Sequence, residues 1–122
     1  MGPVIIAIVD DMFFASKIRA VAEAVGCEIS FPRTREALLQ KAREARPHLI
    51  IVDLHNQKIE PAALAGELKG NEELREIPLL GFFSHVQTEL QRNALAAGFD
   101  QVIPRSVFAR DLPKILATDD RR

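Results

Sequence analysis

Three short runs, Val4-Ile5-Ile6-Ala7-Ile8-Val9, Leu49-Ile50-Ile51-Val52 and Ile77-Pro78-Leu79-Leu80-Gly81-Phe82-Phe83, contain no charged side chain and are largely aliphatic or aromatic. A strand with one face in water alternates apolar and polar residues. Continuous runs this short are instead expected of parallel strands covered on both faces. Between them the period changes. Phe14, Ile18, Val21, Ala22 and Val25 recur at helical spacing and end at Gly26, a C-terminal cap. Glu28-Ile29-Ser30-Phe31 reads as a short strand broken by Pro32, and Thr34 caps a second helix running to about Ala45. Pro61 suits the first turn of a third helix carrying Leu64 and Leu68, which Gly70-Asn71 ends.

Ser84-His85-Val86-Gln87 has the pattern of a capping box for a fourth helix with Val86, Leu90, Ala94 and Ala97 on its inner face, closed by Gly98. Gln101-Val102-Ile103 is a fifth strand, and Leu112, Ile115 and Leu116 mark a last helix, expected from about Asp111 with Asp111 as its cap. Strands and helices that alternate with short right-handed connections give an α/β fold, a doubly wound parallel sheet of five strands. The expectation is one (βα)5 domain over residues 1–122, with a core of about 4–117 and a polar tail at 118–122.

A chain of 122 residues, 48% hydrophobic, has room for one real core and no second domain. Its net charge of −1 offers no field for nucleic acid, and no basic patch of useful size replaces one. The single cysteine, Cys27, has neither a disulfide nor a metal partner and fits a reducing compartment. With no signal-like N-terminus and no apolar stretch near ~18 residues, a cytoplasmic protein without membrane contact is expected.

Two of the apolar runs end in acid: Asp10-Asp11 closes the first and Asp53 the third strand. In an open α/β sheet the C-terminal strand ends meet at the ligand crevice, so these carboxylates converge on one pocket suited to a hard dication and phosphoryl chemistry. Asp10 or Asp11 could equally serve as a helix cap. Asp53 has no helix directly after it to cap, which favours a shared acidic site. Phe13-Phe14 sets an aromatic at the pocket mouth, with Phe14 expected in the core and Phe13 open to a docking role.

Over roughly residues 4 to 117 the chain resembles a response-regulator receiver domain, a flavodoxin-like fold of two-component signalling. The family pattern is an acidic pair after the first strand, a phosphoacceptor Asp after the third, a Ser/Thr after the fourth and a Lys-Pro after the fifth. Asp10-Asp11 and Asp53 match the first two elements. The resemblance implies Mg2+ held by Asp11, Asp53 and the backbone carbonyl of His55, with Asp10 in support, and a phosphoryl group accepted on Asp53.

The other two elements depart from the pattern. Phe83 falls on the Ser/Thr position, with Ser84 one residue beyond as either a displaced switch hydroxyl or a helix cap. Arg105 and Ser106 replace Lys-Pro, so the peptide before Ser106 is expected trans, because a cis bond there would cost about 2.5–4 kcal/mol. Arg105 keeps the charge in a wider planar fork, either reaching the acidic pocket or lying on the surface. Val102 stands where the family's rotating aromatic is common, and Gln57 and Pro61 reshape the third loop.

The resemblance implies a signalling domain rather than an enzyme, phosphorylated by a histidine kinase or phosphotransfer protein and acting on a downstream effector. Homodimers through the fourth- or fifth-helix face are common in the family. The alternative is a phosphorylation-independent pseudo-receiver, a protein-interaction module, favoured by Phe83, Val102, Arg105 and Ser106 and opposed by Asp10, Asp11 and Asp53.

Overall fold

The computed structural model describes residues 3–84 and 88–117. In chain order the elements are β1 (Val4–Ile8), α1 (Met12–Val25), β2 (Glu28–Ser30), α2 (Arg35–Ala45) and β3 (Leu49–Asp53). A single 3-10 turn (Gln57–Ile59) then leads to α3 (Pro61–Lys69), β4 (Leu79–Phe83), α4 (Thr88–Ala97), β5 (Gln101–Pro104), α5 (Arg105–Arg110) and α6 (Leu112–Leu116). The strands form one parallel sheet in the order β2-β1-β3-β4-β5. This is the flavodoxin-like order, with the chain reversing direction across the sheet at the β1/β3 boundary.

The strands explain their own composition. Ile6 and Ile8 of β1, Ile50 and Val52 of β3, and Leu79 of β4 face a layer containing Leu38 and Ala42 of α2, Leu64, Ala65 and Leu68 of α3, and Ala94 of α4. Ile5, Ala7, Leu49, Ile51, Leu80 and Phe82 face the opposite layer, made by Phe14, Ile18 and Ala22 of α1 with Phe108, Leu112 and Leu116. Both faces are dry, so neither register of the alternation can be polar. On the second face three rings lock together: Phe82 stacks on Phe108 at 4.9 Å, and Phe14 meets their edges at 5.4 and 5.8 Å. Aromatic pairs of this kind add about 0.5–1.5 kcal/mol each beyond the area they bury.

The helix ends follow from local chemistry. Thr34 Oγ1 accepts the Ala37 N–H at 3.0 Å and opens α2. Gly26, at φ +80°, closes α1 by donating its N–H to Ala22 and Glu23. Pro61 stands in the first turn of α3, where its missing N–H costs nothing. β4 starts at Leu79 rather than Ile77, after Pro78, which has no N–H to give the ladder.

The C-terminal helix corrects the sequence reading. Helix begins at Arg105, and Asp111, at φ −98° and ψ 11°, separates α5 from α6. Asp111 does stand at the N-cap position of α6, as expected, and its carbonyl accepts the Ile115 N–H at 2.9 Å, but its side chain makes no cap hydrogen bond. Its carboxylate turns back onto Arg110, accepting from Nε at 3.0 Å and Nη2 at 3.2 Å. Phe108 supplies the reason, because its complete burial against Phe82 and Phe14 favours a helical turn directly after β5. The Arg105–Ser106 peptide is trans. The proposed Ser84–Gln87 capping box extends into 85–87, outside the described residues.

Candidate functional site: the acidic edge of the sheet

β1 and β3 are neighbours, with Ile8 in register with Val52, so the residues that follow them emerge side by side at the C-terminal edge. Asp53, the last residue of β3, is 8% exposed. Its Oδ1 accepts the His55 N–H at 3.0 Å, and its backbone carbonyl accepts the Asn56 N–H at 3.1 Å. The loop thus folds back over the strand end and fixes the carboxylate. Leu54, completely buried, ties the same segment to β4 by donating its N–H to the Phe82 carbonyl at 3.0 Å. His55 is half-buried and Asn56 buried.

Asp11 caps α1 and does more. Its Oδ1 accepts the N–H groups of Phe13 at 2.9 Å and Phe14 at 3.2 Å. Its Oδ2 accepts from Arg105 Nη2 at 3.0 Å. The Arg105 guanidinium, followed by the Phe14 and Phe13 N–H groups, holds the Asp11 carboxyl below its ordinary range, against an opposing effect of burial. Arg105 also lies over the Phe14 ring, with Cζ 3.9 Å from the centroid, a cation–π contact. The helix cap weighed in the sequence for Asp11 and a contact with Arg105 coexist here because a carboxylate has two oxygens.

Asp10 is exposed and lines a cavity of about 160 Å³ together with Arg19, Phe31, Arg33 and Asn56. Phe83 is buried at 4% exposure, while Ser84 is exposed. Val102 is half-buried against the α2/α3/α4 layer. Phe13 is 90% exposed, and Phe14 is core. The sequence reading missed Phe14 as the platform for Arg105, since nothing local connects them.

The donor chemistry of this edge suits a hard dication: Asp10, Asp11, Asp53 and the His55 carbonyl offer oxygen. In the arrangement described, Asp11 Oδ2 is held by Arg105, and among the described residues no three His, Cys, Asp or Glu side chains are gathered closely enough to enclose a metal ion. Among those residues, too, no helix is long and apolar enough to cross a membrane.

No protein-family model matches the sequence, and no curated protein matches it. Solved structures match nearly the whole chain. The receiver domain of a sensor histidine kinase from Pseudomonas aeruginosa, with a magnesium ion coordinated in its active-site cleft, is 18% identical, with 95% of each chain covered and a TM-score of 0.82. A chemotaxis response regulator of Vibrio cholerae is 17% identical over 95% of this chain and 97% of its own, at a TM-score of 0.81. The signal receiver domain of a signal transduction histidine kinase from Syntrophus aciditrophicus is 23% identical over 99% and 95%, at 0.80. The fold of this chain is therefore the receiver-domain fold.

Proposed function

We propose that this chain is a receiver domain that accepts a phosphoryl group on Asp53 from a phosphohistidine of a histidine kinase or phosphotransfer protein. The observation that carries the reading is the placement of Asp53. It ends the central strand of a receiver fold, fixed by the His55 N–H, with Asp10 and Asp11 following the adjacent strand. A carboxylate oxygen of Asp53 attacks phosphorus as the N–P bond to the donor imidazole breaks. The imidazole keeps the electron pair and takes up a proton, and Asp53 becomes an acyl phosphate.

The His55 N–H orients the nucleophile through Oδ1. Burial of Asp53 limits the access of bulk water to the acyl phosphate. Mg2+ bound by Asp11, Asp53 and the His55 carbonyl, with Asp10 in support, would supply neutralising charge to the phosphoryl oxygens. Arg105 supplies a cation at the same edge, and Ser84 is the nearest hydroxyl in sequence to the Phe83 switch position. The readout passes to a protein effector, through the faces of α4 and α5 in a monomer or a homodimer. At most, the chain's own chemistry is metal-dependent phosphorylation by a small donor and loss of that group to water.

A second reading is favoured by Phe83. Its ring fills the position of a switch hydroxyl and is buried, so a phosphoryl group on Asp53 has no hydrogen-bond donor there. On that reading the chain is a pseudo-receiver that binds a protein partner independently of phosphate. Borohydride trapping separates the two. An acyl phosphate on Asp53 is reduced to homoserine and is found by peptide mapping after incubation with acetyl phosphate. Mapping that finds Asp53 unchanged refutes the phosphoacceptor reading.

A further inference from the structure

The cavity of about 160 Å³ lies between α1, the segment that follows β2 and the loop that follows β3. Ala15 and Arg19 come from the first, Phe31 and Arg33 from the second and Asn56 from the third, with Asp10 from the turn after β1. Asn56 distinguishes it from a dimple in the surface. The residue is 9% exposed, and its carboxamide has no hydrogen-bond partner among the described residues. A carboxamide carries both donors and an acceptor, and burying one unpaired is costly. Its polar atoms are not sealed off, so they face the open space of the cavity.

Two cations share that space. Arg19 lies over the Phe31 ring, with Cζ 4.8 Å from the centroid, a contact that gives its N–H groups no acceptor. Arg33 has neither a hydrogen bond nor an ion pair among the described residues.

We infer that this cavity binds a small monocarboxylate, with the anionic head on Arg19, Arg33 and Asn56 and the short hydrocarbon tail against Phe31 and Ala15. Charge and size select the class. Two arginines against one aspartate leave a single net positive charge, which one carboxylate neutralises and a dianion overshoots. A planar guanidinium accommodates a carboxylate with two parallel hydrogen bonds. The volume equals that of about five waters at ~30 Å³ each, enough for an acid the size of butyrate and too little for a nucleotide. The inference does not depend on phosphorylation of Asp53. Asn56 nevertheless donates its backbone N–H to the Asp53 carbonyl at 3.1 Å, so an occupant touches the loop that fixes that residue.

The test is a titration of butyrate into 15N-labelled protein in metal-free buffer, followed by nuclear magnetic resonance of the Asn56 side-chain NH2 and the arginine Nε–H groups. Saturable shifts of Asn56, Arg19 and Arg33 are expected, with affinity falling about threefold for each methylene removed from butyrate through propionate to acetate. Arg19→Ala and Arg33→Ala should each weaken butyrate about tenfold, since each removes a charged hydrogen-bond partner. Asn56→Ala should weaken it about threefold. Arg75→Ala makes the same change of charge just before β4, at the opposite edge of the sheet, and should bind as the wild type does. The backbone amide spectrum confirms that each variant is folded.

A titration with no saturable shift at Asn56 overturns the inference. So do shifts that survive both arginine substitutions, and equal weakening by Arg75→Ala, which would mark general attraction to charge. Inorganic phosphate binding as tightly as butyrate overturns the assignment to a monocarboxylate.

Discussion

Gly81 and Leu54 should behave as one packing unit beneath the acidic edge. Gly81 pairs with Val52 in the sheet, and a Cβ added to it would stand 2.8 Å from Leu54 Cδ2, 2.9 Å from Cγ and 3.1 Å from Cδ1. Leu54 is completely buried, and its N–H is held by the Phe82 carbonyl, so the side chain has little room to retreat. Overpacking of this kind costs about 1–3 kcal/mol, and Gly81→Ala should lose that much. Leu54→Ala alone leaves a hole and should lose about 2–5 kcal/mol. In the double variant the new methyl enters space that the leucine has vacated. The combined loss should therefore fall short of the sum by at least about 1 kcal/mol. Urea unfolding followed by far-ultraviolet circular dichroism measures all four corners of the cycle, the chain having neither tryptophan nor tyrosine for fluorescence. Strict additivity, or a Gly81→Ala variant as stable as wild type, refutes the close approach.

Three further outcomes are expected. Asp100 Oδ2 accepts the Leu79 N–H at 2.8 Å and Lys69 Nζ at 2.9 Å, so Asp100→Ala should cost about 1–2 kcal/mol in urea unfolding, and Asp100→Asn, which keeps an acceptor, less. Burial raises the Cys27 thiol above its ordinary range, so its alkylation by iodoacetamide at neutral pH should be slow in the native protein and rapid in urea. The Asp11 carboxyl is lowered in the fold, chiefly by Arg105. Its contribution to stability is therefore present above the ordinary aspartate range and lost as pH falls through the lowered value. The urea midpoints of wild type and Asp11→Asn should thus converge on acidification below about pH 4, and a gap that widens there would contradict the assignment.

The parts of this molecule legible in the sequence are those that local patterns determine. Continuous apolar runs locate β1, β3 and β4, and Thr34, Gly26 and Pro61 mark helix ends, because each is satisfied by neighbours within a few residues. The acids at the ends of β1 and β3 were legible for the same reason, since the strand carries them to the edge. The contact between Asp11 and Arg105 spans 94 residues and has no periodic signature. It depends on α5 starting at Arg105, which in turn depends on Phe108 finding Phe82 and Phe14 across the sheet face. Asp111 shows the opposite failure. Its position two residues before Pro113 reads as a helix cap, and it does hold that position, but the charged neighbour Arg110 takes the carboxylate that would have bonded the helix.

The most direct test of the phosphoacceptor account is intact-protein mass spectrometry after incubation with acetyl phosphate and magnesium, with wild type and Asp53→Asn side by side. The account predicts a single phosphoryl adduct on the wild type and none on the variant. An adduct of equal yield on both proteins, or on neither, would contradict it.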